Sequence, residues 1–170
     1  SVLLTTNKKS IRSNMGEIAR INNIDIWWED YGEKSNASVL LIMGANASAL
    51  YWDRKFIDEL VANDLHVVIF DNRDVGKSTW FNSEPFLVQF AKFLPYAVSK
   101  KLVSSAFKSM VDDDGKFAIP DGNGAKYDLN DMAKDAICLM DHLGIDKAHI
   151  VGASMGGMIT QIIGLDYPER

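Results

Sequence analysis

With 170 residues, the chain can bury one sizeable core, so one domain is expected. Its apolar fraction of 47% is ordinary for a globular protein, and a formal net charge of −5 argues against a general nucleic-acid binder. No apolar run approaches the ~20 residues of a membrane-spanning helix. The one cysteine, Cys138, rules out an internal disulfide and reads as a small buried apolar residue within a helix.

Residues 1–16 read as a loose extension. Ser1-Val-Leu-Leu-Thr-Thr-Asn-Lys-Lys-Ser lacks the basic-then-apolar order of a signal peptide, so a cytoplasmic location is expected. Glu17-Ile-Ala-Arg-Ile and Ile24-Asp-Ile-Trp-Trp-Glu-Asp-Tyr alternate apolar and polar residues around Asn22-Asn23, the pattern of an antiparallel hairpin. Val39-Leu-Leu-Ile-Met-Gly is continuously apolar, as a strand covered on both faces should be. Ala49 to Asp64 reads as an amphipathic helix with Trp52, Phe56, Leu60 and Val61 on one stripe, and His66-Val-Val-Ile-Phe-Asp as a second buried strand.

The stretch 80–126 breaks this rhythm and reads as a helical insert. Phe86, Phe90, Phe93, Leu94 and Ala97 form one stripe; Leu102, Val103, Ala106, Phe107 and Met110 form another. Lys92, Lys100, Lys101 and Lys108 read as charges on an exposed helix face rather than a membrane surface. Asp112-Asp-Asp-Gly and Pro120-Asp-Gly-Asn-Gly are turn chemistry; without a glutamate at the required offset they make no calcium loop, and no metal is expected. Asp128 caps a helix whose stripe is Met132, Ala136, Leu139, Met140 and Leu143, closed by Gly144. Ala148-His-Ile-Val then reads as a buried strand, and Met155 to Leu165 as a helix. Strands alternating with helices after a hairpin imply an α/β fold with a mostly parallel sheet and an N-terminal antiparallel hairpin.

Between that last strand and helix lies Gly152-Ala-Ser-Met-Gly, a G-x-S-x-G string. In this context the turn holds the serine in a strained conformation above the sheet edge, so Ser154 is the candidate nucleophile. A serine needs a histidine to take its proton, and the histidine a carboxylate to orient it. In the arrangement that uses this turn, both follow the serine. No histidine follows Ser154, and the acids that do, Asp166 and Glu169, sit at the far end of the helix. Twelve helical residues at ~1.5 Å each place Asp166 roughly 18 Å away. Of the three histidines, His142 suits a helix C-terminus, while His66 and His149 read as hydrogen-bonded strand residues. The acid and histidine are therefore absent from this chain, which reads as the N-terminal part of a longer enzyme. The loop after an earlier strand, Met43-Gly44-Ala45-Asn46, stands where a second oxyanion donor is needed. The N–H groups of Met155 and Ala45 are the candidate pair, and the Asn46 side chain is a weaker contributor.

These segments together resemble the α/β-hydrolase fold family, and within it the aclacinomycin methylesterase group, over about residues 17–170. The resemblance rests on Leu41-Ile-Met-Gly-Ala-Asn-Ala-Ser-Ala-Leu, on Phe70-Asp-Asn-Arg-Asp-Val-Gly-Lys-Ser and on Tyr127-Asp-Leu-Asn-Asp-Met-Ala-Lys-Asp-Ala. Val151-Gly-Ala-Ser-Met-Gly-Gly-Met and Asp166-Tyr-Pro-Glu-Arg complete it. The second segment matches the family's D-x-R-x-x-G-x-S signature, whose Asp71 and Arg73 read as structural ties. Many members have His-Gly where Met43-Gly44 stands, and the methylesterase group often has glycine where Ala45 stands. The resemblance implies a domain over 17–170 that is truncated after the nucleophile helix. It implies an acid, a histidine and a cap that come later in a full chain. It implies Ser154 as nucleophile with the Ala45 and Met155 amides as oxyanion hole, but assigns a fold better than a substrate, since the fold also hosts thioesterases, haloperoxidases and lyases. The function expected of the full-length protein is hydrolysis of a small-molecule carboxylic ester through an acyl-enzyme on Ser154, with no cofactor. The missing C-terminal part of the same protein is the expected partner. Epoxide and haloalkane hydrolases of this fold use an aspartate nucleophile, so Ser154 argues against them. The alternative is a truncated or split relative that binds without turnover.

Overall fold

The computed structural model describes residues 16–81 and 125–170. The loose extension expected over 1–16 and the helical insert expected over 80–126, with both its stripes, lie outside the described residues except at their edges. Of the described residues, 16–81 and 127–170 belong to one compact unit.

Strand β1 (Glu17–Ile21) turns into β2 (Ile24–Tyr31) through Asn22 and Asn23, whose φ angles of 44° and 64° both lie in the left-handed region. Asparagine tolerates that region, and two such residues make the turn whose twist matches paired strands. Next come β3 (Ala37–Ile42), α1 (Arg54–Ala62) and β4 (Leu65–Phe70). After the insert follow α2 (Leu129–Leu143), β5 (Ala148–Gly152) and α3 (Met155–Asp166). The sheet order is β1-β2-β4-β3-β5. β3 pairs in parallel with both β4 and β5, while β2 runs antiparallel to β1 and to β4. The sheet is therefore mixed, its parallel part confined to β3, β4 and β5.

Strand periodicity divides the core between two layers. Leu40, Ile42, Val68 and Phe70 face α2 and α3, meeting Met132, Ala136, Leu139, Met140, Ile159 and Ile163. Their neighbours Val39, Leu41, Val67 and Ile69 face α1, meeting Ile57 and Val61. Each such side chain, fully buried, contributes about 1.5–3 kcal/mol.

Three local expectations change. The segment from Ala49 is a short 3-10 turn (Ala49–Tyr51) followed by α1, because the Asp53 side chain accepts from the Lys55 N–H and starts a fresh helix. Ile57 and Val61 make its buried stripe; Phe56 is 39% exposed and stacks on Trp52 at 5.8 Å. β2 does not alternate between core and solvent. Lying between β1 and β4, it buries Glu29 and Asp30 as well as both tryptophans. β5 is not buried: it is an edge strand of the sheet among the described residues, with His149 and Val151 exposed. His149 thus makes no side-chain hydrogen bond among the described residues, contrary to expectation. His66 does, and His142 sits in the last turn of α2 as expected.

α2 starts and stops by side-chain chemistry. Asp128 accepts from the N–H groups of Asn130 and Asp131, and Asp131 reaches back to the Asp128 N–H, a capping box. Gly144 at φ 70° ends the helix. Cys138 is half-buried on this helix, its thiol pushed up by burial and by nearby carboxylates.

Candidate active site

The chain leaves β3 toward α1 on one face and leaves β5 toward α3 on the other. The two adjacent strands therefore part at their carboxyl ends, and such a divergence opens a crevice where ligands bind. Ser154 stands at its rim. It is exposed, with φ 55° and ψ −120°, a conformation that non-glycine residues adopt at a cost of about 1–3 kcal/mol.

Neighbouring backbone enforces that posture. Ala153 donates to the Ile42 carbonyl at 3.0 Å, and Gly157 donates to the Ser154 carbonyl at 2.8 Å. A Cβ on Gly156 would lie 2.1 Å from the Ile42 oxygen, and one on Gly152 would lie 2.1 Å from the Gly156 oxygen. Only glycine lets helix, elbow and strand approach so closely. Gly156→Ala is therefore expected to destabilise the protein by about 1–3 kcal/mol, as overpacking of a closed contact does. Urea melts of the two proteins measure it, and an unchanged midpoint would mean that the elbow has slack.

The loop after β3 comes up beside the serine. A Cβ added to Gly44 would fall 3.1 Å from Ser154 Cβ and 3.6 Å from Ser154 Oγ. This places the Gly44-Ala45 segment against the hydroxyl. Asn46 at φ 57° turns the loop, and Ala47 donates back to the Gly44 carbonyl at 3.3 Å. Neither Ala45 N–H nor Met155 N–H makes a backbone hydrogen bond among the described residues. Met155 opens α3, where the first-turn N–H groups lack helical partners and carry the positive end of the helix dipole.

The loop after β4 braces this arrangement. Asp71 is buried at the end of β4, and its Oδ1 accepts from Ser48 Oγ and the Ala49 N–H, both at 2.8 Å. Its Oδ2 accepts from the Lys77 N–H at 3.1 Å. Gly76, at φ 54°, is needed there, since a Cβ would fall 1.9 Å from Asp71 Oδ2. Ser78 donates to the Asp71 carbonyl at 2.6 Å and accepts from the Trp27 N–H at 2.9 Å, sewing the loop to β2. Asp71 thus holds the loop that follows Gly44, as a structural tie. Arg73 is likewise a tie, paired with Asp135 of α2. Asn72 escaped the sequence reading: its side-chain amide donates to the Met43 carbonyl at 3.0 Å and pins the loop immediately before Gly44. The sequence carries no local signal for it, because the contact depends on β4 lying beside β3.

None of the histidines joins Ser154. His66 begins β4 at the opposite end of the sheet, His149 lies across from Val39 on the open edge, and His142 is on α2. Asp166 ends α3, a helix length away. Among the described residues, no helix is long and apolar enough to cross a membrane.

A family model described as the alpha/beta hydrolase fold matches residues 37–170. The chain is 30% identical over 149 residues to rhodomycin D methylesterase of Streptomyces peucetius and 28% identical over 149 residues to that of Streptomyces sp. strain C5. Each alignment covers 88% of this chain and 37% of the methylesterase, so the chain spans little more than a third of the length of these relatives. Among solved structures, epoxide hydrolase A from Mycobacterium thermoresistibile is similar with a TM-score of 0.62 at 22% identity, over 94% of this chain and 37% of that one. The enol-lactonase from Burkholderia xenovorans LB400 is similar at 0.61 and 17% identity, over 91% of this chain and 43% of that one. The likeness to these structures is one of fold. Sheet order, glycine-bounded elbow and matched residues agree: the chain belongs to the alpha/beta hydrolase fold family.

Proposed function

We propose that Ser154 is the nucleophile of a serine hydrolase that cleaves a small carboxylic ester in the full-length protein, of which these residues form the nucleophile-bearing part. The observation that carries this reading is the backbone of Ser154 itself, at φ 55° and ψ −120°, with its hydroxyl against the Gly44 loop. A non-glycine residue kept in that region at a crevice is strain retained for a purpose.

In this reading Ser154 Oγ adds to the ester carbonyl while its proton passes to an imidazole. The oxygen that gains the electron pair accepts hydrogen bonds from the Ala45 and Met155 N–H groups, which contribute several kcal/mol to the transition state. Collapse of the intermediate breaks the C–O bond, and the alcohol leaves with the imidazolium proton. Water then repeats the sequence on the acyl-enzyme and regenerates Ser154. No cofactor takes part. The imidazole and its carboxylate come from the part of the protein that follows α3, since His66, His142 and His149 all lie away from the elbow. The names of the methylesterase relatives support an ester over other acyl substrates.

The test is covalent labelling. Full-length folded protein treated with a fluorophosphonate is expected to gain one probe mass, located at Ser154 by peptide mapping. Failure of folded full-length protein to label, while binding of esters persists, would favour the non-catalytic binding protein instead.

A further inference from the structure

The loop that leaves β3 is held at both ends by two consecutive residues that follow β4. Asp71 takes the far end, through Ser48 Oγ and the Ala49 N–H. Asn72, itself buried, takes the near end, its Nδ2 donating to the Met43 carbonyl at 3.0 Å. A carbonyl can only accept, so the nitrogen of the carboxamide must face it. The same carbonyl lies against the start of α3, since a Cβ on Gly156 would fall 3.0 Å from it. The Met43 oxygen therefore sits between Asn72 and the helix that begins beside Ser154.

Peptide planarity carries this hold to the next amide. In a trans peptide the C=O and the N–H point in opposite directions within one plane. The Met43 carbonyl shares its plane with the Gly44 N–H, and the Gly44 carbonyl shares its plane with the Ala45 N–H. The two planes meet at the Gly44 Cα, the most permissive joint a chain can have. Ala47 fixes the second plane by donating to the Gly44 carbonyl at 3.3 Å, so the Ala45 N–H points away from Ala47. That bond is internal to the loop and would turn with it. Fixing the first plane takes a contact from outside the loop, and Asn72 supplies one. Ala45 itself is exposed, beside the Ser154 hydroxyl.

We infer that Asn72 is a positioning residue for the reaction proposed for Ser154: by holding the Met43 carbonyl it sets the direction of the Ala45 N–H, and it touches no reacting atom. The inference rests on that reading of Ser154 and Ala45. An oxyanion donor is worth most when it is aimed before charge develops, and a misplacement of ~1 Å can cost about 10²-fold.

The experiment compares the full-length protein with Asn72→Leu, which keeps the volume and loses the donor, and with Asn72→Asp, which keeps the shape. With p-nitrophenyl acetate, Asn72→Leu is expected to lower kcat by about 10- to 100-fold while KM stays within about threefold. Fluorophosphonate labelling of Ser154 should slow by a similar factor. In Asn72→Asp the new carboxylate cannot donate to the Met43 carbonyl, whereas its protonated form can. Burial and the facing carbonyl raise that carboxyl above its ordinary ~3.9. The ratio of the Asn72→Asp rate to the parent rate should therefore climb as pH falls from about 9 to about 5, while the ratio for Asn72→Leu stays flat. Dividing by the parent removes the titration of the catalytic imidazole. A kcat for Asn72→Leu within about twofold of the parent, a change in KM alone, or an Asn72→Asp ratio independent of pH overturns the inference. Should Asn72→Leu not fold, Asn72→Asp decides alone. A parent that does not label at Ser154 sinks the reading beneath, and this inference with it. A parent that labels no faster than Asn72→Leu sinks this inference only.

Discussion

Ser154→Ala in the full-length protein is expected to lower ester hydrolysis by about 10⁴-fold or more, with the melt unchanged within about 1 kcal/mol. In the proposed mechanism, removing the hydroxyl deletes the step through which the acyl group reaches the protein, while the Ala45 and Met155 N–H groups remain to meet the substrate carbonyl. KM should therefore move far less than kcat. Ser154→Gly separates catalysis from strain at the same position. Glycine occupies φ 55° without steric cost, which releases part of the ~1–3 kcal/mol held at the elbow. It adds ~0.5–1 kcal/mol of entropy loss on folding. The net expectation is a protein as stable as the parent, or more stable by about 1 kcal/mol, and equally inactive. Substantial residual activity in both variants, measured with a chromogenic ester and corrected for contaminating esterase, would assign the chemistry elsewhere.

The largest effect on stability is expected from Asp135→Ala. Asp135 is buried in α2 and receives Arg73 in a two-pronged contact, Nη2 to Oδ1 at 2.9 Å and Nε to Oδ2. Asn22 of the first turn donates to the same Oδ1 at 2.7 Å. The guanidinium lies against the rings of Phe81 and Tyr127, at 5.3 and 5.4 Å. The bond to Asp135 raises the Arg73 pKa, and even without that bond a guanidinium keeps its proton near neutral pH, so it cannot escape by losing it. Truncating Asp135 leaves a buried cation without its anion, which costs about 3–5 kcal/mol, a large part of the ~5–15 kcal/mol that holds a domain together. The double variant Arg73→Met with Asp135→Leu should recover much of that loss, because an apolar pair of similar volume avoids desolvation of both charges. Urea denaturation of the three proteins measures it. Equal midpoints for parent and Asp135→Ala would show the pair to be dispensable.

Where the sequence was legible, one physical rule governed a whole segment. Val39 to Ile42 and Val67 to Phe70 are apolar without a break because both faces of their strands are covered. Asn22-Asn23 and Gly144 announce left-handed backbone, and Asp128 announces a cap. Ser154 and the Gly44 loop were recognisable for the same reason: close backbone approach leaves glycines at fixed offsets. The misreadings arose where tertiary neighbours decided. Asp30 enters the core because His66, from β4, joins the nearby Lys34 in satisfying one of its oxygens. The apolar face of β5 reads as interior, yet no strand lies beyond it among the described residues. Asp53 restarts a helix that the apolar spacing alone runs through from Ala49. The hold of Asn72 on Met43 depends on two strands lying side by side, which no local pattern reports.

Gly156 rests on the Ile42 carbonyl, and Ala153 donates to that same oxygen. The bend at Ser154 is therefore propped from outside by residues that come more than a hundred positions earlier in the chain. The five letters from Gly152 to Gly156 do not own their shape. Copied into a foreign surface loop, they would relax into an unremarkable turn carrying an alcohol no more reactive than that of any other serine.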